Sequence, residues 1–402
     1  MKNCIHFFML FLLILLLSGC WNRREVNDLA IAVALGIDKN KDETYSVSVQ
    51  ILSPGEVASP QTGGGVGYET PVTTYTGNGR IIFEALRKLT QQLPNKIYLA
   101  HIRMIVIGES VAKEGIYKPL DFLSRDPEMR TDFYIIVSKG NSAKEILNVL
   151  TSHEKIPANK LFDSLESSSE AWAATGKVKL NDLIDDLISE GTQPILTAVK
   201  IVGDADAGKN TDNVLTTDPK ASLSYDGMAA FSNNKLAGWL NTAESKGLNY
   251  IKGKVKNTII VIEVNKEMAG IELVDAKTEI IPHFRNGEPS IDVKITGEAN
   301  IADSNSQFDF MNEQVLLELE QKTSDDIKGK VSQALDKAQH DLKADVFGFG
   351  EQLHKADPKN WDKIKANWTD IFPNLPVNTT VNIKIRRAGT ITDPFHNDLP
   401  KE

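Results

Sequence analysis

Two thiols, Cys4 and Cys20, are the strongest nucleophiles that the chain sets in a recognisable pattern. Cys20 closes the run Leu17-Ser18-Gly19-Cys20, directly after Phe7 to Leu17, 11 residues without a polar side chain. A bilayer span needs roughly 20 apolar residues, so this stretch has the length of a signal-peptide core. Small residues ahead of a cysteine form the lipobox of bacterial lipoproteins. There the thiol takes a diacylglyceryl group, and cleavage makes Cys20 the first mature residue. Lys2 and the amino terminus supply a thin positive region, with His6 as a partial third charge. The competing reading is an ordinary secretory peptide with an incidental cysteine.

Other candidate chemistry is weak. Gly203-Asp204-Ala205-Asp206-Ala207-Gly208-Lys209-Asn210 has the spacing of a phosphate-binding loop. However, Asn210 replaces the hydroxyl that would hold magnesium, and two aspartates would face the phosphates. Six histidines follow Cys20 (His101, His153, His283, His340, His354 and His396), and none has the spacing of a helical metal pair. Asp303 to Gln307 begins like a calcium loop without its glycine and its terminal glutamate. Asp185-Asp186 reads as the wet side of a helix, since adjacent helical positions diverge. Trp361, Ile364 and Trp368 fall on one helical stripe and read as core. No nucleophile elbow occurs. The expectation is therefore no catalytic residue, no metal, no cofactor and no enzyme.

Composition narrows the class further. The 402 residues carry 45 Lys+Arg against 54 Asp+Glu, a formal charge of -9. Loss of Lys2 with the leader would make it -10. Charges are interspersed, and the only basic cluster, Lys384-Ile385-Arg386-Arg387, alternates like one side of a strand, so no nucleic-acid partner is expected. Arg23-Arg24 beside the anchor can meet anionic headgroups at about 1 kcal/mol each.

The elements that must carry these residues follow from periodicity. Leu29 to Asp38 and Thr44 to Leu52 read as strands, the second by strict alternation. The glycine-rich stretch Ser53 to Gly67 reads as a loop. Ile82, Leu86, Leu89 and Leu93 mark a helix stopped by Pro94. Ile97 to Gly108 reads as one strand covered on both faces, followed by a short helix, Glu109 to Glu114. Asp132 to Ser138 is an apolar strand, Leu180 to Glu190 an amphipathic helix, and Ile195 to Val202 a strand. Separate strands are expected at Ala221 to Ser224 and Met228 to Phe231, and long ones at Ile271 to Phe284 and Ser290 to Ile301. Val315, Leu319, Ile327, Val331, Leu335, Ala338 and Leu342 form the seam of a helix over about 315–344. Asp357-Pro358 reads as a helix cap.

These patterns predict a mixed α/β fold, a succession of small α/β domains with mixed sheets and one long C-terminal helix. The expected divisions are a removed leader, 1–19, an N-terminal α/β domain, 20–202, and a polar linker, 203–220. A small middle domain, 221–264, a C-terminal α/β domain, 265–395, and a tail, 396–402, complete it.

The residues Cys20-Trp21, Glu25 and Ala34-Leu35-Gly36-Ile37-Asp38 resemble the start of the Ger(x)C spore germination lipoproteins, the C subunits of germinant receptors. Ala85-Leu86-Arg87, His101-Ile102-Arg103, Ile107-Gly108-Glu109 and Arg125-Asp126-Pro127-Glu128-Met129-Arg130 continue the likeness in order. Gly238-Trp239-Leu240, Asp345-Val346-Phe347-Gly348-Phe349-Gly350 and the helix with Trp361 and Trp368 complete it. The resemblance implies three small α/β domains and a non-enzymatic subunit. It would be held by lipid at Cys20 on the outer face of the inner spore membrane, beside a multi-pass A subunit and a permease-like B subunit. Small nutrient germinants would act through that complex. The alternative is a solute-binding lipoprotein that hands a small ligand to a membrane transporter.

Overall fold

A computed structural model describes residue 6 and residues 28–53, 70–264, 266–304 and 312–387. The expected lipidation site, the 53–67 loop beyond Ser53, residues 305–307 of the run that begins like a calcium loop and the whole 396–402 tail lie outside these residues. Among the described residues, no helix is long and apolar enough to cross a membrane.

The first sheet has nine strands, β1 (Leu29–Lys39), β2 (Tyr45–Leu52), β3 (Val72–Gly79), β4 (Lys96–Tyr98), β5 (Met104–Ile107), β6 (Tyr134–Ser138), β7 (Ile195–Gly203), β8 (Ala221–Ser232) and β9 (Lys235–Leu240). Its order is β3-β2-β1-β5-β6-β7-β8-β9, with β4 on the first residues of β1. β1, β5, β6 and β7 run parallel. The flanking hairpins are antiparallel. Parallel strands need covered connections, and six helices supply them: α1 (Ile82–Lys88), α2 (Glu109–Glu114), α3 (Tyr117–Arg125), α4 (Ala143–Asn148), α5 (Pro157–Ala171) and α6 (Leu180–Ile188). Side chains leave a strand on alternating faces. Leu35, Ile37, Ile105, Ile107, Ile135 and Val137 therefore pack with α1, α2, α3 and α6. Ala34, Met104, Val106 and Ile136 pack with α4 and α5 on the opposite face.

The second sheet, β10 (Thr258–Val264), β11 (Glu267–Arg285), β12 (Glu288–Ser304) and β13 (Val377–Arg387), has the order β10-β11-β12-β13. β13 joins it parallel to β12. Helix α7 (Thr242–Ile251) and the long α8 (Glu313–Asp336) cover it, and a π-turn over Lys337–Leu342 extends α8. The seam expected from Leu319 to Leu342 is buried there, while Val315 packs half-buried at its start. Gly329 faces open space and leaves α8 unbroken. Three short helices follow, α9 (Phe349–Ala356), α10 (Pro358–Ile364) and α11 (Trp368–Ile371). Asp357 caps α10 by accepting the Asn360 N–H at 3.1 Å, with Pro358 in the first turn.

Three expectations change. The apolar run 97–108 is two strands, β4 and β5, separated by a turn that leaves His101 exposed. Ile102 in that turn is buried all the same, so hydrophobicity alone could not reveal the break. The strands expected at 221–224 and 228–231 are one strand, β8, running through Gly227 at φ 71°. Finally, 203–220 joins neighbouring antiparallel strands of one sheet, since Gly203 pairs with Ala221. The stretch 221–264 has no sheet of its own: β8 and β9 extend the first sheet, and β10 opens the second. Polarity there reports solvent exposure of a connection. Met228, Ala230 and Leu240 share one core with α7, α8 and the second sheet.

Candidate functional site

In parallel α/β sheets, ligands bind beyond the carboxyl ends of the strands, where the chain changes its direction of winding. Here that place lies beside β1, between the β2 hairpin and β5. A crevice of about 830 Å³ opens there, lined by Asp38, Asn40, Asn78, Glu109, Asn141, Ser142 and Lys144 among others. Several of its backbone donors are already taken. Asp38 accepts the N–H groups of Ala143 at 2.8 Å and Lys144 at 3.0 Å, so its carboxylate fills the anion position at the start of α4. Glu109 accepts the Gly140 N–H at 2.8 Å. Ser142 and Glu145 cap the same turn reciprocally. Burial pushes the Asp38 carboxyl up, and the two N–H bonds oppose that shift. A Cβ on Gly108 would stand 2.0 Å from Asp38 Oδ1, which explains a glycine at this position. The Ala34–Asp38 and Ile107–Glu109 motifs thus turn the chain's own carboxylates onto the backbone donors of Ala143, Lys144 and Gly140.

A second knot ties the two sheets together. Asp345 is buried, its Oδ1 accepting the N–H groups of Gly348 at 2.9 Å and Phe349 at 3.1 Å. Its Oδ2 accepts the Gly350 N–H at 2.8 Å and Trp368 Nε1–H at 3.1 Å. Burial lifts this carboxyl to about 6 against the pull of those four donors. Its backbone carbonyl takes the Gln193 N–H at 2.8 Å, reaching the segment before β7. A Cβ on Gly191 would fall 2.4 Å from Gly350 C, so the two backbones touch. Trp361 and Trp368 meet edge to face at 5.2 Å in this core, which bears out their reading as packing residues.

The remaining motifs among the described residues likewise engage the chain's own groups. Arg103 lies 3.9 Å over the Phe162 ring and 3.8 Å from Asp163. Arg125 forks onto Asp121, with both contacts at 2.9 Å. Glu128 pairs with Lys96. Gly238 lies under Leu342, where a Cβ would stand 2.7 Å from its Cδ2. In the loop with phosphate-site spacing, Asp204 accepts the Asp206 and Ala207 N–H groups, and Lys209 pairs with Asp206 at 2.6 Å. That loop is closed by its own acids. Asp185 is exposed, while Asp186 is half-buried and held above the ordinary carboxylate range by burial. Among the described residues, no group of three acids, histidines or cysteines is placed to hold a metal ion.

Sequence reasoning missed two features. An open groove of about 620 Å³ runs between α1 and α3, lined by Ile81, Phe83, Tyr117 and Phe122, with Arg80 and Lys118 on its rim. Ile81 and Tyr117 are 60% and 65% exposed, so this is apolar surface facing water. The signal was present in Ile81 and Phe83, which fall off the Ile82–Leu86–Leu89 seam. The second feature is Lys246, buried with its ammonium 3.6 Å over Trp172 and 3.0 Å from Thr258 Oγ1. Burial, then the nearby charge of Lys330, lowers its pKa to about 8. An unfolded lysine titrates near ~10.4. Between these values the unfolded chain binds more protons, so stability rises with pH. We expect wild type to gain on the order of 1 kcal/mol between pH 7.5 and 10 relative to Lys246→Met. Urea titrations at both pH values measure it, and parallel pH profiles would refute it.

Comparison with known proteins places this geometry among relatives. The spore germination protein N-terminal domain matches residues 22–201, and the spore germination B3/GerAC-like C-terminal domain matches 226–389. Spore germination protein KC of Bacillus subtilis is 33% identical, with 99% of each chain aligned. Spore germination protein B3 of the same organism is 25% identical over 97% of this chain and 100% of its own. The crystal structure of the GerBC protein superposes with a TM-score of 0.55 at 22% identity, covering 87% of this chain and 96% of that one.

Proposed function

The chain belongs to the family of spore germination proteins that these two domains define, and from that premise we propose that it is the lipid-anchored C subunit of a nutrient-germinant receptor. Cys20 carries the diacylglyceryl group, and the folded body stands on the outer face of the inner spore membrane. It acts there without catalysis, as a structural and interaction component beside the A and B membrane subunits.

The observation that carries this reading is the use of the motif residues. Asp38, Glu109, Asp345 and Trp368 are committed to the chain's own backbone and core. They brace the fold, and among the described residues they do not converge on a reactive centre. A rigid body with an exposed apolar groove suits docking better than turnover.

Two measurements test the reading together. Crosslinking from the full chain in spore membranes should capture multi-pass membrane proteins. Thermal unfolding of the purified chain should stay unmoved by amino acids and sugars. A ligand present at 100 times its dissociation constant would add about 2.7 kcal/mol. Such a gain, with no membrane partner captured, would replace the receptor reading with a solute-binding one.

A further inference from the structure

Of the large apolar side chains left in water among the described residues, three share one surface. Ile81, Phe83 and Tyr117, at 60%, 46% and 65% exposure, stand along the groove between α1 and α3. A narrower cavity of about 220 Å³ continues that groove past Phe83, Asp126 and Pro127 to Lys96 and Ile97. There β4 pairs with Leu29 and Ala30, the first residues of β1. The groove therefore follows one face of the first sheet and ends beside the start of β1.

Charge around this apolar floor is one-sided. Its acids are engaged within the chain: Asp121 holds Arg125, Glu128 holds Lys96, and Asp126 accepts the Glu128 N–H at 2.9 Å. Arg80, Arg87 and Lys118 are exposed and make no ion pair with a described residue. Arg87 instead lies 4.7 Å over the Phe83 ring. The whole chain is acidic, at -9, so three unpaired cations beside three exposed apolar side chains run against its composition. Apolar side chains bordered by Lys and Arg mark a surface that settles into the headgroup layer of an anionic membrane.

We propose that this flank is where the body rests on an anionic bilayer, with Ile81, Phe83 and Tyr117 entering the headgroup layer and Arg80, Arg87 and Lys118 meeting lipid phosphates. The inference rests on the anchoring at Cys20 proposed above. Leu29 lies nine residues beyond Cys20, a reach of about 32 Å at full stretch. An anchored terminus thus holds the bilayer within that distance of the groove's lower end. A free protein partner has every face to choose from, whereas a membrane tied to this terminus meets this flank first. Tethering lets weak contacts suffice, and each cation near an anionic surface strengthens the contact about fivefold. The α4 and α5 layer, on the opposite face of the sheet, would then look away from the membrane.

Ile81→Cys and Tyr117→Cys, placed singly in the full chain and labelled with a fluorophore, test it on vesicles of mixed phosphatidylglycerol and phosphatidylcholine. The reference is Leu215→Cys, on a side chain 79% exposed in the 203–220 connection, and the signal of Cys4 and Cys20 in the parent chain is subtracted. Quenching by spin-labelled lipid should be roughly two- to fivefold stronger at 81 and 117 than at 215. Arg80→Gln, Arg87→Gln and Lys118→Gln together should bring both positions down to the reference, with the urea midpoint unchanged. Vesicles of phosphatidylcholine alone should do the same. The proposal fails if 81 and 117 are quenched no more than 215, if neutral vesicles serve as well, or if the triple variant keeps the quenching. It also fails if both positions escape lipid quenching and crosslink to a protein in spore membranes. Mass spectrometry of the membrane-bound chain separates the two readings. An acylated terminus with an unquenched groove overturns this inference alone, and an unacylated terminus overturns the anchoring and this placement with it.

Discussion

Asp345→Ala should lower the unfolding free energy by about 3–5 kcal/mol, the cost of breaking a buried, fully hydrogen-bonded charge. The substitution strands the N–H groups of Gly348, Phe349 and Gly350 and the indole of Trp368, all in dry surroundings. It also loosens the contact through which the Gln193 N–H reaches the 345 carbonyl. Asp345→Asn should recover only part of the loss. It keeps one acceptor oxygen but turns an amide N–H₂ toward two donors. Urea unfolding followed by far-ultraviolet circular dichroism measures both variants. A loss under about 1 kcal/mol for the alanine variant, the range of ordinary surface substitutions, would show that the knot does not hold the sheets.

Cys20→Ala should have the larger functional effect with almost no structural one. Two acyl chains, at about 0.8 kcal/mol per buried methylene, hold a protein stably where one binds only marginally. Without them the body should move from the membrane to the aqueous fraction. Nutrient germination should weaken or vanish while the urea midpoint stays where it was. Tethering raises the effective concentration of weak partners, so the loss should be worst where those contacts are weakest. Full nutrient germination with a soluble, unlipidated chain would sink the anchoring argument. So would a mature terminus shown by mass spectrometry to lack acyl groups.

Much of the architecture could be read in advance where one residue pattern had one physical solution. The alternation through Tyr45, Val47, Val49 and Ile51 gave a strand, and all four side chains are buried. The seam from Leu319 to Leu342 gave the long helix, and Asp357-Pro358 gave a true cap. What stayed hidden depends on residues distant in sequence. The turn at Leu99–Arg103 forms because β4 pairs with Leu29–Ile31 while β5 pairs with Ala34–Ile37. Nothing within 97–108 encodes that split. The polar segment 203–220 looked like a boundary because a surface connection and a linker have the same composition. The sequence named the motifs around Asp38 and Asp345 without revealing their roles. A capping carboxylate and a binding carboxylate are the same residue until its donors are known.

The Asp345 knot also bears on how the chain becomes native. Thr192 meets Glu351 at 3.3 Å across 159 residues of sequence. A chain emerging amino end first would present Gly191 to Gln193 long before their partners exist. Closing so wide a loop carries an entropic cost that local contacts do not repay. The first sheet would therefore wait, unlatched on this side, until the segment following α8 arrives. How soon that later segment emerges behind the first sheet would set the time available for the closure.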